Sequence, residues 1–208
     1  MWFVLAAMAP VAAAEPSPEA RVVLGQLSTK YGPADVLKGS FVQRTASPYG
    51  EQVQQGTVVL KRPGKVRWES GPGGRQFVCD GSTLWIYDPA EKQVTRIKGV
   101  GEQVASTFAV LQSMDRLGER YDVALSGGDA AAGWDLSLSP KAGDDTVQFK
   151  KVVIELDPKL GLDLVKITDL FDVVTTIDFT GLELGGAVGD DVFTFQVPAG
   201  VQVVDAGG

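Results

Sequence analysis

Residues 52–70 read QVQQGTVVLKRPGKVRWES, and the alternation in this stretch decides the fold. Apolar and polar side chains alternate from Gln52 to Lys61, stop at Arg62-Pro63-Gly64, and resume from Val66 to Ser70. A period of two belongs to an extended strand with one face buried. Proline has no N–H for a ladder and glycine takes turn conformations freely, so Pro63 and Gly64 break the run. Strands joined by so short a turn are antiparallel neighbours. Pro63 also holds the preceding Arg62 extended. Val66 and Trp68 lie two apart and share a face.

The same period runs outward in both directions. Leu37, Gly39, Phe41 and Gln43 alternate with Lys38, Ser40, Val42 and Arg44, up to a loop at Ser47-Pro48-Tyr49-Gly50. Downstream, Gly71-Pro72-Gly73-Gly74 turns the chain, and Arg75 to Cys79 and Thr83 to Asp88 form a hairpin around Asp80-Gly81, a type I′ turn signal. Gln93 to Ile97 is a further short strand. A second block holds Arg120–Leu125, Gly133–Ser139, Val147–Leu156, Leu162–Leu170, Val173–Leu184 and Val192–Gln196. Two segments change to helical spacing: Pro18 to Lys30, with Val23, Leu24 and Leu27 on one face, and Glu102 to Leu117, with Val104, Phe108, Leu111 and Met114. Roughly a dozen strands joined by short turns predict one antiparallel sheet, which at that size must curl or close. Two helices cover one concave face, leaving a space of lipid size.

Composition narrows the function. The chain has 208 residues, 44% hydrophobic and 22% charged, which suits one domain with a sizeable core. Its net charge is −7, with 19 basic and 26 acidic side chains, so nucleic-acid phosphates are poor partners. There is no histidine, which removes His-based triads, bases and metal ligands; with a single cysteine, a thiolate metal site and an internal disulfide also go. No enzyme, no cofactor and no metal is therefore expected. Cys79 reads as a small buried residue at a strand end. Asp169 and Asp172, the one spacing that hints at paired carboxylates, sit where strand-end or loop roles suffice; Asp144-Asp145 and Asp190-Asp191 read as turns. Residues 1–14, MWFVLAAMAPVAAA, form an apolar run ending in small residues before Glu15-Pro16-Ser17-Pro18. That pattern fits a signal peptide cleaved near Ala14, leaving 15–208 as a single exported domain. The run has no preceding Lys or Arg and is too short for a permanent span.

Several pieces read in order carry a family resemblance: Gly39-Ser40-Phe41-Val42-Gln43, the run from Gly56 through Arg62-Pro63 to Trp68-Glu69, Asp80-Gly81, Leu84-Trp85-Ile86-Tyr87-Asp88-Pro89, Phe193-Thr194-Phe195 and Pro198-Ala199-Gly200-Val201. Together they resemble LolA, the outer-membrane lipoprotein carrier family, over nearly the whole mature chain. The resemblance implies a mostly β fold with some α: a single curved antiparallel sheet forming a half-open, incomplete β-barrel of about 11–12 strands under a helical lid. It implies a periplasmic monomer that takes the acyl chains of lipoproteins from an inner-membrane ABC-type release complex and passes them to an outer-membrane acceptor.

The resemblance also assigns roles. Arg62 is the residue that bonds to the lid and keeps an empty cavity shut; a guanidinium has five donors suited to helix-end carbonyls. Val66 stands where the family often has an aromatic that affects cargo transfer, and valine is a smaller apolar group. Trp68 and Trp85 either line the cavity or belong to the permanent core. Phe108, Leu111 and Met114 form the lid's inner face, or that of an ordinary amphipathic helix. Leu24 and Leu27 complete the cargo-binding set from the first helix. Two other functions share the architecture: a carrier of another lipid or glycolipid, and a half-barrel module that binds a regulatory protein.

Overall fold

The computed structural model describes residues 15–48, 50–100, 106–142 and 149–206, without the side chains of residues 106 and 107. The leader at 1–14, the Asp144-Asp145 pair and the expected helix start at Glu102 and Val104 lie outside the described residues. Helix α1 (Pro18–Tyr31) starts with the Ser17 side chain accepting the Ala20 N–H and with proline in its first turn. It buries Val23 and Leu27. The strands are β1 (Val36–Ser47), β2 (Gly50–Lys61), β3 (Lys65–Ser70), β4 (Gln76–Asp80), β5 (Thr83–Asp88) and β6 (Gln93–Lys98), then, after two helices, β7 (Tyr121–Asp129), β8 (Gly133–Pro140), β9 (Phe149–Leu156), β10 (Leu162–Asp169), β11 (Val174–Leu184) and β12 (Gln202–Asp205). Between β6 and β7 lie α2 (Ser106–Gln112) and α3 (Leu117–Arg120).

All twelve described strands belong to one open, curved sheet, in the order β12-β6-β5-β4-β3-β2-β1-β11-β10-β9-β8-β7. Strand β1 pairs with β2 on one side and β11 on the other, so it joins the two halves. This order requires a long crossing connection. The chain leaves β6 near one edge of the sheet and must reach β7 at the opposite edge, and α2–α3 is the crossing. Register puts Val58, Leu60, Val66, Trp68, Phe77, Cys79 and Leu84 on one face, with Phe41, Ile177 and Phe179 across the β1 junction. This is the concave face, and α1 and α2 fill it. Gly56 faces Phe41 across a strand pair. A Cβ there would sit 1.9 Å from the Glu69 carbonyl oxygen and 2.9 Å from the Phe41 ring, so only glycine lets β1, β2 and β3 close up around that ring.

Four expectations need correction. The long helix from Glu102 to Leu117 is, among the described residues, two short ones. The Ser113 hydroxyl donates to the carbonyls of Ala109 (2.7 Å) and Val110 (3.1 Å), and the backbone tightens there to three-residue bonds. Val192 to Gln196 is not a strand; Asp190–Phe193 is a 3₁₀ turn, and the chain reaches the sheet only at β12. That last strand pairs with β6 in parallel, so the sheet is not wholly antiparallel. The β4–β5 turn has positive φ at Gly81 but not at Ser82, whereas a type I′ turn needs it at both central residues; the Asp80 carboxylate accepts the N–H groups of Ser82 and Thr83 instead.

Candidate functional site

The site has two ends. At the first, β2 ends and the Arg62–Pro63 peptide, which is cis, leads into the turn to β3. Arg62 reaches back over the C-terminus of α1 and donates to the carbonyls of Tyr31 (3.0 Å), Gly32 (2.9 Å) and Ala34 (2.5 Å). Helix ends leave carbonyls without intrahelical partners, and a guanidinium is suited to collect them. Its other terminal nitrogen lies 2.8 Å from the carboxylate of Asp115, which stands between α2 and α3. One side chain therefore ties the first helix, the sheet and the crossing segment together. Gln112, the last residue of α2, makes a second tie: its side chain accepts the Gly64 N–H and donates to the Lys65 carbonyl, both at 3.0 Å. On the inner side of these ties about 20 Å³ is open, walled by Leu37, Leu60, Leu111 and Met114, and on the outer side about 290 Å³ lies between Asp35, Pro63, Gly64, Ala109 and Arg120.

Helix α1 has a separate anchor on the far half-sheet. Lys30 donates to the Lys159 carbonyl (2.8 Å), and the buried Tyr31 hydroxyl donates to that of Leu160 (3.0 Å). Burial, first of all, pushes the Tyr31 phenol up to about 12.

Under the lid the space is filled by rings. Trp68 stacks on Phe41 at 3.7 Å between centroids; Phe108 of α2 meets Trp68 at 5.5 Å and Phe77 at 5.9 Å. Phe179 sits edge-on to Trp68 at 6.4 Å. Val66, Leu111, Met114 and Leu27 are buried in the same cluster, and Leu24 packs against it, half-exposed. Burial likewise pushes the Cys79 thiol up, which disfavours the reactive thiolate.

The second end is a mouth. Beyond the ring cluster a cavity of about 490 Å³ opens, with Trp68, Phe77, Phe108, Ile167 and Ile177 as its floor. Gln43, Thr45, Gln52, Gln54 and Thr175 surround it.

Trp85 is elsewhere. It pairs across from Val78 and Arg96 and so faces the convex side, where Phe195 stacks on it at 5.7 Å and the Arg96 guanidinium covers it at 5.4 Å. The segment after β11 crosses this side as a strap. Asp190 takes Lys61 and Lys65 at 2.7 Å each, the Val192 carbonyl accepts from Arg67 at 2.8 Å, and Phe193 is buried. Trp85 is thus part of a small second core and is withdrawn from the cavity-lining set. The structure brings together Arg62, Val66, Trp68, Phe108, Leu111, Met114, Leu27 and Leu24, all on the concave side. It adds Gln112 and Asp115, which sequence reasoning missed: a lone glutamine and a lone aspartate in a helical stretch carry no pattern that names their partners.

Residues 33–196 match the family described as outer membrane lipoprotein carrier protein LolA. The chain belongs to the LolA family. Relatives include the outer-membrane lipoprotein carrier proteins of Dechloromonas aromatica, 35% identical over 81% of this chain and 80% of that one, and of Chromobacterium violaceum, 31% identical over 97% of each. Family and mostly β architecture therefore agree with the sequence. Among solved structures, an uncharacterized conserved protein from Thermus thermophilus shares the fold at a TM-score of 0.54 and 12% identity, covering 90% of this chain and 99% of that one.

Proposed function

We propose that this LolA-family chain is a periplasmic carrier of lipoproteins and holds their acyl chains on its concave face. The carrying observation is the latch: Arg62 ties the end of α1 to Asp115 and so holds the crossing segment down over a face lined with rings. Polar bonds of this kind can be broken and re-formed at modest cost, which suits an exchangeable cover. In the closed form Phe108 and its neighbours occupy the space that acyl chains would take. Opening costs the latch bonds and the ring contacts, and chain burial offsets this at about 0.8 kcal/mol per CH₂. The exchange partners consistent with this role are an inner-membrane ABC-type release complex and an outer-membrane acceptor, with residues 1–14 as the removed leader. The carrier acts as a monomer and by binding alone.

The test uses residues 15–208 and a fluorescent fatty acid. Saturable binding, displaced by a triacylated lipoprotein, is expected. No binding by the monomer would sink the proposal. Mass spectrometry of lipid carried by protein from its native host separates lipoprotein from glycolipid cargo.

A further inference from the structure

The hairpin of β10 and β11 ends in Asp169-Leu170-Phe171-Asp172-Val173, and its tip departs from the usual chemistry of a tight turn. Turn positions favour Gly, Pro, Asn, Asp and Ser. Here the two aspartates meet the needs of the turn. The Asp169 carboxylate accepts the N–H groups of Phe171 (2.8 Å) and Val173 (2.9 Å), and the Asp169 carbonyl accepts that of Asp172 (3.3 Å). Asp172 takes the left-handed conformation, φ 63°, which aspartate tolerates better than most residues. Its carboxylate accepts from Lys150 at 2.7 Å. The side chains of Leu170 and Phe171 form no part of this frame. They are 48% and 85% exposed, and Phe171 is the most exposed large apolar residue among the described ones. Single exposed apolar residues are ordinary on a protein surface. Two adjacent ones held outward by a braced turn gain nothing from packing.

The tip stands beside the open end of the concave face. Ile167, Asp169, Val173 and Thr175 of the same hairpin line the 490 Å³ cavity. Val174, the first residue of β11, pairs with Ala46 near the end of β1, so the tip is level with the β1–β2 turn, where Pro48 is also exposed. Charge at this end offers no basic patch. Asp172 is paired with Lys150; Lys151 lies across from Thr168 and Glu51 across from Ala46. With Asp169 that makes two lysines against three carboxylates, which gives an anionic surface nothing to grip. A protruding apolar tip of this kind gains by burial alone. Whatever meets it also faces the cavity mouth, and for a carrier of acyl chains that surface is a bilayer.

We propose that Leu170 and Phe171 form a membrane-contact element that enters the interface of a zwitterionic lipid bilayer and sets the cavity mouth against it. The choice of lipid over a protein pocket rests on the carrier reading; the braced, exposed tip does not. Two side chains bury less apolar surface than one myristoyl chain, which alone gives only marginal, reversible membrane binding. The contact is therefore brief, as a carrier that returns to solution needs. The net charge of −7 opposes adsorption to anionic leaflets. Contact by burial alone thus favours zwitterionic over anionic lipid, the reverse of a protein that docks through a basic patch.

The test holds residues 15–208, joined by a flexible linker to a C-terminal hexahistidine, on phosphatidylcholine vesicles that contain a little nickel-chelating lipid. Tethering raises the local concentration, so that weak contact is still read. Phe171→Trp should shift its added emission to the blue and be quenched by lipid brominated in the acyl chains. Val22→Trp, at a 60% exposed position on α1, should not respond, and neither should the native chain. Both sites are exposed, so both variants should keep the native thermal transition. Adding Leu170→Ser to Phe171→Trp should cut the inserted population by about tenfold. Replacing part of the phosphatidylcholine by phosphatidylglycerol should weaken the quenching. No quenching of Phe171→Trp, quenching equal to that of Val22→Trp, or stronger quenching on the anionic vesicles overturns the element. None of these results touches fatty-acid binding in solution, which tests the carrier reading by itself.

Discussion

Replacing Arg62 with leucine is the sharpest test of the latch. One terminal NH₂ group of the guanidinium shares its two hydrogens among the carbonyls of Tyr31, Gly32 and Ala34, and the other terminal nitrogen forms an ion pair with Asp115. Bonds to a charged group contribute about 1.5–3 kcal/mol each. The full sum does not apply. Gly32 is exposed and its carbonyl rehydrates once freed, and the Arg62 and Asp115 side chains are 20% and 19% exposed, so water already screens the pair. A loss of about 3 kcal/mol is the reasonable total. If these bonds exist only with the lid down, nearly all of that loss appears in the closed–open equilibrium, a factor of about 150. Native-state hydrogen exchange of the α2 amides should then accelerate by about two orders of magnitude, while β9 and β10 keep their rates. Association with a fluorescent fatty acid should quicken in parallel. Equal acceleration in every element, or none in α2, would refute the latch and make Arg62 an ordinary staple of the fold.

Gln112→Leu removes the two bonds to the β2–β3 turn and should raise α2 exchange by about 10- to 30-fold through a loss near 2 kcal/mol, seen by the same method. Phe108→Ala deletes the ring between Trp68 and Phe77; thermal unfolding should show a loss of about 3–5 kcal/mol, while titration shows tighter fatty-acid binding because the occupant of the space is gone. The strap responds to acid. Side-chain hydrogen bonds from Lys61 and Lys65 hold the Asp190 carboxyl down at about 2, below the ordinary aspartate value of about 3.9. A depressed folded pKa stabilises above the unfolded value, so the clasp is complete above about pH 4 and is lost as pH falls through about 2. Tryptophan fluorescence from Trp85 against Phe195 should report that step, and Asp190→Asn should abolish it. Tyr31 behaves oppositely at high pH: its folded pKa is raised to about 12, so its contribution is intact below about pH 10 and is lost between there and pH 12, which Tyr31→Phe should remove from the alkaline unfolding profile.

What could be read from the sequence follows from which signals are local. The period-two runs around Arg62-Pro63 place Val66 and Trp68 on one face because strand geometry fixes that from spacing alone. The helical spacing of Phe108, Leu111 and Met114 marks an inward face for the same reason. Trp85 was ambiguous because a strand with a core on both sides offers two apolar faces, and the second exists only once the strap has crossed the convex side. The strap itself, Gly185 to Val201, has neither period, and the parallel pairing of β12 with β6 follows only once the strap has crossed the convex side to reach that edge. The latch partners are non-local in the same sense. Asp115 meets Arg62 only because the crossing from β6 to β7 must pass over the end of α1. The mouth was nearer to hand: Phe41, Gln43 and Thr45 share parity, so the change from aromatic to amide along one face was visible.

The latch and the ring of aromatics make the closed form stable, and that stability has a direction. Any free energy that holds the lid down in the empty protein must be returned when cargo enters, so it lowers cargo affinity by the same factor. About 3 kcal/mol in the Arg62 bonds is about 150-fold weaker holding, set against about 0.8 kcal/mol gained per buried CH₂. A palmitoyl chain thus exceeds the cost of the latch with roughly four methylenes, and the rest of the chain supplies the hold. On release the same bonds re-form and favour departure. A carrier without Arg62 should therefore load more readily and deliver less, and the ratio of those two changes should approach unity, because both are readings of one equilibrium.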